Sequence, residues 1–208
     1  MQKIKSTESK NSQEESFTEY VKNIYDNSLD MIGSGNLEGF FTAINPAFER
    51  ILGYSGEELL AKPFLDFVYE EDFEEIKNAL MAAASGKETI NIKNRYKCKD
   101  GSVKWIDWRV HCIVHDNQFI AVGRDITENK KVEIDLKESE KRFRILFNTM
   151  TVGVAIVDTN GNVLMANKAD CDALGYSEEE LIGMHFTEFT HPDDLQLDVE
   201  LYTELIEE

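Results

Sequence analysis

Phe17, Tyr20, Val21, Ile24 and Tyr25 recur three or four residues apart, the spacing of one face of an amphipathic helix. The period then shortens. Met31 to Gly35 and Phe40 to Asn45 read as two short strands joined at Asn36-Leu37-Glu38-Gly39, where Gly39 suits a positive φ. Pro46 suits the first turn of a short helix through Leu52 with Asn45 as its cap, and Ser55 with Glu58 forms a capping-box signature for another. Asp72 opens a longer helix whose Phe73, Ile76 and Leu80 share one face, ending near Ser85-Gly86. Thr89 to Tyr96, Val103 to Val114 and Phe119 to Val122 read as strands, separated by Lys99-Asp100-Gly101-Ser102 and His115-Asp116-Asn117-Gln118. The pattern predicts an α+β domain, a five-stranded antiparallel sheet with helices on one face.

The chain repeats itself. Leu52-Gly53-Tyr54-Ser55-Gly56-Glu57-Glu58-Leu59-Leu60 returns as Leu174-Gly175-Tyr176-Ser177-Glu178-Glu179-Glu180-Leu181-Ile182, an offset of 122 residues. Carried outward without a gap, the offset pairs Tyr25 with Phe147, Gly39 with Gly161, Asn45 with Asn167, Phe64 with Phe186 and Asp72 with Asp194. Aromatic, turn and helix-start positions coincide, so this is a tandem duplication of a whole domain. The second copy carries Asp158-Thr159-Asn160-Gly161-Asn162 at the hairpin, and Asn-Gly is the stronger turn signal. Between the copies Val132, Leu136, Ser139, Phe143, Leu146 and Met150 are spaced 4, 3, 4, 3, 4 among Lys and Glu, the seam of a coiled coil. The predicted organisation is a disordered polar tail over 1–15, a first domain over 16–127, a helical linker over 128–150 and a second copy over 151–208.

Composition narrows the partners. Of 208 residues, 40 are acidic and 22 basic, giving a net charge of −18 that repels nucleic-acid phosphates and anionic lipid head groups. No stretch approaches the roughly 20 apolar residues of a membrane helix. Cys98, Cys112 and Cys171 are an odd number without C-x-x-C spacing, which indicates neither a disulfide framework nor a zinc site. A cytoplasmic protein is expected.

Asn45-Pro46-Ala47-Phe48, Leu52-Gly53-Tyr54-Ser55, the run from Asn94 to Ser102 with Trp105, and Gly123-Arg124-Asp125-Ile126-Thr127 together resemble a tandem PAS protein. The resemblance implies a PAS fold and a sensory or dimerisation module, similar to the N-terminal sensor region of a histidine kinase in a two-component system. Asp125, Ile126 and Thr127 resemble the family's exit motif, where the last strand hands over to a signalling helix. The implied role is to relay a ligand or redox signal through that helix to an output domain outside this chain. A homodimer and a downstream kinase or other output domain are the implied partners. Subtracting the offset from 208 leaves the second copy ending at the counterpart of Gly86, without counterparts of Thr89 to Val122. It therefore reads as an incomplete PAS copy of a longer protein, its Val154 to Val157 an open edge; completion by strand exchange with another chain is the alternative.

Catalytic motifs are not found. No phospho-acceptor pattern surrounds His111, His115, His185 or His191, and no Gly-rich nucleotide loop occurs. His111 and His115 fall at the end of a strand, where four residues span about 13 Å, too far to share a metal. The carboxylate-rich helix starts suit the macrodipole and solvent. The long strand presents Ile106, Trp108, Val110, Cys112 and Val114 on one face, the more apolar one, which should face the core with Ile44, Phe48, Leu52, Phe67, Ile90 and Ile92. Phe48, Leu52, Phe67, Asn94, Trp108, Val110 and Cys112 are the candidate ligand-cavity residues, against a core filled by its own side chains. The resemblance indicates no cofactor. The Cys-containing stretch of the light-sensing flavin variety has no counterpart at Gly53 to Glu57, and Asp72 to Ala84 lacks the ligating His of haem-binding relatives. Non-covalent flavin stays open, so a flavin or haem redox or gas sensor is the alternative reading, and the input region of a histidine kinase is another.

Overall fold

The computed structural model describes residues 16–113 and 116–207. The predicted tail over 1–15, and Val114 and His115, lie outside the described residues. Two compact units divide between Val132 and Glu133.

Unit 1 opens with helix α1 over 16–27, whose Phe17, Tyr20, Val21 and Ile24 are exposed. Strands β1 (Met31–Asn36) and β2 (Phe41–Ile44) follow, then helices α2 (Ala47–Leu52), α3 (Gly56–Leu60) and α4 (Phe73–Ala84). Strands β3 (Thr89–Lys97), β4 (Val103–Ile113) and β5 (Gln118–Asp125) complete an antiparallel sheet of order β2-β1-β5-β4-β3. The first strand thus pairs with the last, Met31 opposite Gly123 and Gly35 opposite Phe119. Alternation along each strand decides the layers: Ile90, Asn94 and Tyr96 of β3, Ile106, Trp108 and Cys112 of β4, and Phe119 and Ala121 of β5 are buried. Against them pack Phe48 and Leu52 of α2, Leu59 of α3 and Ile76 of α4. Aromatic rings join the layers, with Phe41 5.1 Å from Phe48 and Trp108 5.8 Å from Phe48 and 5.7 Å from Tyr96.

The predicted capping box at Ser55 is present, and Gly39 has φ 101° in the β1–β2 turn. Two expectations are corrected. Asn45 does not cap α2, whose start makes no side-chain cap bond. Its buried carboxamide instead accepts from the Ile32 N–H at 3.0 Å and donates to the Tyr25 and Asp30 carbonyls, each at 3.0 Å. Leaving those three main-chain groups unpaired costs more than an open helix end, where Pro46 has already removed one N–H. Asp72 does not begin α4 either; it sits in a 3-10 turn (Glu70–Asp72) and its carboxylate reaches across to Arg95.

Unit 2 contains the C-terminal part of helix α5 (Thr127–Thr149), strands β6 (Ala155–Val157) and β7 (Val163–Ala166), and helices α6 (Lys168–Leu174), α7 (Glu178–Leu181) and α8 (Leu195–Glu207). The duplication extends to single hydrogen bonds. Asn167 accepts from the Val154 N–H at 3.0 Å and donates to the Val152 carbonyl at 2.9 Å, each partner 122 residues beyond its unit 1 counterpart. Here the carboxamide also caps α6 through the Asp170 N–H, so the cap expected in the first copy occurs in the second. Gly53 and Gly175 end their helices at φ 77° and 78°, and Ser177 repeats the capping box. Among the described residues β6 pairs with β7 alone.

Asn45→Ala should destabilise unit 1 by at least about 2 kcal/mol, because it strands three part-buried main-chain groups. Urea unfolding followed by tryptophan emission reads this directly, since both tryptophans, Trp105 and Trp108, lie in unit 1. An unchanged midpoint would count against the clamp.

Candidate functional site

Between α4 and the inner face of β3 to β5 lies a cavity of about 60 Å³. Four of the residues expected there line it: Asn94, Trp108, Val110 and Cys112. Phe48, Leu52 and Phe67 are buried but do not line it. Phe48 packs edge-on against Phe41, and Phe67 turns to Tyr54 with ring centroids 4.9 Å apart. Sequence reasoning missed Phe41, Phe64 and Phe119, whose rings close the wall, and Leu37, Ile76 and Leu80. Alternation would have assigned Phe119 to the inner face of β5, but Leu37, in the β1–β2 turn, and Phe64, opening a short 3-10 helix (Phe64–Phe67), carry no periodic signal.

The cavity wall is uncharged. Burial pushes the Tyr96 phenol well above its ordinary range, only partly opposed by the Asn94 carboxamide, and burial also raises the Cys112 thiol. Two polar atoms are left over: the Asn94 Oδ1 and the Trp108 Nε1 are buried without a hydrogen-bond partner. Asn94 is 1% exposed and Trp108 4%. Gly123 lies opposite Trp108 in the sheet, and a Cβ there would come within 2.5 Å of the indole. The missing side chain lets the ring lie flat over β5.

Where β5 ends, beside the start of β4, the geometry differs. Thr127 accepts from the Trp105 N–H at 2.9 Å, and its own N–H donates to the Asp125 carboxylate at 2.8 Å. The Thr127 hydroxyl also donates to that carboxylate, and the Lys104 ammonium lies 3.0 Å away. The Ile126 N–H donates to the Trp105 carbonyl at 2.8 Å. Burial alone would raise the Asp125 pKa, but the Thr127 bonds and Lys104 outweigh it and hold the carboxyl below its ordinary value. The Trp105 ring lies under the Arg95 guanidinium at 5.3 Å and beneath Lys130 of α5 at 5.9 Å. Arg95 in turn pairs with Asp72 at 2.6 Å and Glu71 at 3.1 Å, at the foot of α4. Asp125, Ile126 and Thr127 are thus stapled to β4, and they are joined by Lys104 and by Trp105 and Arg95, which the sequence marked as motif residues but not as part of the handover. The Arg95–Asp72 pair spans 23 residues, beyond any local pattern.

The seam residues Val132, Leu136, Ser139, Phe143 and Leu146 are exposed on α5, and Met150 follows its end, also exposed. Phe147 is buried in unit 2. His111 is exposed, and among the described residues no three His, Cys, Asp or Glu side chains are placed to hold a metal.

Gly123→Ala should drive the Trp108 ring from its place and cost about 1–3 kcal/mol, as overpacking does. Near-ultraviolet circular dichroism should lose part of its tryptophan signal; an unaltered spectrum and midpoint would contradict the close approach.

Two family models described as the PAS fold match residues 41–122 and 141–208, together most of the chain. The probable diguanylate cyclase DgcE of Escherichia coli is 44% identical over 71 residues, 34% of this chain and 6% of that protein. Sporulation kinase E of Bacillus subtilis is 26% identical over 167 residues, 80% of this chain and 22% of the kinase. The chain therefore spans less than a quarter of either relative. The solved structure of an RNA-binding Light-Oxygen-Voltage receptor superposes with a TM-score of 0.51 at 18% identity, over 60% of this chain and 37% of that one, a likeness of fold alone. With a five-stranded sheet closed by its first and last strands and a second copy matched in its own right, the chain belongs to the PAS family, as a tandem protein of the sensory, signal-transducing kind.

Proposed function

We propose that the chain is the input segment of a larger cytoplasmic signalling protein, in which a change at the unit 1 cavity is passed to α5 and on to an output domain. The observation that carries this reading is the staple on β4. Trp108 faces the cavity, while Trp105, three residues earlier on the opposite face, holds Thr127 at the start of α5. A shift of β4 or α4 therefore reaches α5 through the Thr127–Asp125 bonds and through the Arg95–Trp105–Lys130 stack. The exposed seam from Val132 to Met150 would pair with a second copy, and a change of rotation or register there is the two-state element that signalling requires. The kinase relative, matched over most of this chain, favours a histidine-kinase output within a two-component system.

Asp125→Ala should open the staple. Amide hydrogen exchange at Thr127 to Lys130 should quicken about tenfold or more, given the worth of hydrogen bonds to a charged group, with β3 to β5 still protected. The wild-type protection should also depend on acidity. The folded Asp125 has its pKa below the ordinary 3.8, so its stabilisation is complete above that value and is lost as the pH falls through the lower folded value. The alanine variant should lack that acid-dependent step; equal exchange in both proteins would sink the relay.

Dimerisation is tested separately. Leu136→Lys with Leu146→Lys puts charge into the seam, and sedimentation equilibrium should show a dimer for the wild type and a monomer for the double variant. A monomeric wild type would end the coiled-coil reading.

A further inference from the structure

We propose that two copies of α5 pair antiparallel, the start of each helix lying beside the end of the other. The proposal deepens the dimer reading of the seam and rests on it. Its occupant is a second copy of this chain, and its argument is charge and size along the helix. The seam fixes which residues flank it. Glu128, Asp135 and Arg142 lie along one edge, and Glu133, Glu140 and Phe147 along the other. All but Phe147 are exposed.

In a parallel pair each residue of the first edge meets the partner's second-edge residue five positions on. Glu128 then faces the partner's Glu133 and Asp135 the partner's Glu140, acid against acid, while Arg142 meets the partner's Phe147. In an antiparallel pair like edges face each other. With the two-fold axis between Lys137 and Glu138, Asp135 meets the partner's Arg142 and Glu133 the partner's Glu140. Either orientation contains a like-charged contact through Glu133, so these cancel in the comparison. Asp135 decides: it is repelled in the first and paired in the second, twice over by symmetry. Arg142 already reaches Glu138 of its own helix at 2.8 Å, but both are exposed and such a pair holds a side chain only weakly. A slide of one heptad, setting Leu136 against the partner's Leu146, would bring Arg142 against its own copy at the axis.

Size agrees with charge. In a parallel pair every seam residue meets itself, so Ser139 leaves a gap and Phe143 crowds its own copy. The Phe143 ring is stacked on Phe147 at 5.4 Å, and Phe147 is buried in unit 2, which holds the ring in place. In the antiparallel pair Phe143 meets the partner's Val132 and Leu136 the partner's Ser139, large against small throughout. Asn129, seven residues before Leu136, is the exception, since an Asn at such a position pairs best with itself. It stands in the first turn of α5 and is exposed, so water satisfies its amide. The end of one α5 then arrives beside the Thr127 staple of the other.

Charge exchange in the whole chain separates the orientations. Asp135→Arg should weaken the dimer about four- to thirtyfold by sedimentation equilibrium, because two attractive contacts become repulsive. Arg142→Asp should weaken it similarly. The two together should restore dimerisation to within about threefold, with the net charge back at −18. On one helix the two positions lie about 10 Å apart, so the restoration acts between chains. A parallel pair gives the opposite sign, since an arginine at 135 would meet the partner's Glu140 and tighten the dimer; that result, or two singles without effect, would overturn the proposal. A spin label gives a second reading. Glu128→Cys is labelled in a Cys171→Ser chain, where Cys98 and Cys112 are buried. The two labels should lie about 30 Å apart in the dimer, and a separation under about 20 Å would overturn the antiparallel pair. Such a short separation would keep the coiled coil and reject its orientation, whereas a monomeric wild type would end both.

Discussion

The pairing of β1 with β5 is the constraint on which unit 1 depends. It joins residues 92 positions apart, Met31 with Gly123, and so carries a loop-closure cost that only burial on the inner face offsets. Everything functional is placed by it. Without β5 the floor beneath Trp108 is missing, the cavity has no Phe119 or Ala121, and Asp125 is not brought to Lys104. The closure is reinforced at its edge, where Arg124 of β5 reaches Asp30 just before β1 at 2.8 Å, and Asn45 ties β1 to the end of β2 and to α1.

The period of two in β4 has a mechanical consequence. Between Trp105 and Cys112 the even-numbered residues of β4 turn inward and the odd-numbered ones outward, so Trp108 and Trp105 work on opposite sides of one strand. The inner side is apolar, uncharged and short of two hydrogen-bond partners. The outer side is a network of charges and rings that runs from Asp72 at the foot of α4, through Arg95 and Trp105, to Lys130. Exposed ion pairs contribute little to stability, but the Asp72 carboxylate is mostly covered and bonded by Arg95 at both oxygens and by its main-chain N–H. Such a pair specifies position, which is what a transmitting surface needs.

Elements whose cause is local were legible. The capping box from Ser55 to Glu58 is four residues of chain bonding to themselves, and the left-handed Gly39 and Gly53 answer turns that lie within a few residues. The alternating strands and the 122-residue repeat were legible for a related reason: a pleated strand must alternate, and a duplicated domain must repeat its turns. Asn45 shows where local logic fails. Asn-Pro before a helix reads as a cap, yet the carboxamide is claimed by main-chain groups of β1 and α1, whose burial makes their need greater. Phe48, Leu52 and Phe67 were rightly placed in the core, but whether a core residue borders a void depends on which neighbour fills the space beside it.

The sequence by itself determined the α+β class, the order of elements, the two copies and the face of β4 that turns inward, because periodicity and turn chemistry act over a few residues. Only the tertiary structure decided that Asn94 and Trp108 leave two polar atoms unpaired beside a small cavity, that Gly123 makes room for an indole, and that Arg95 and Lys104 complete the handover to α5. Those features are set by packing between strands and helices far apart in the chain, and the register and the space left between layers exist only once the sheet has closed.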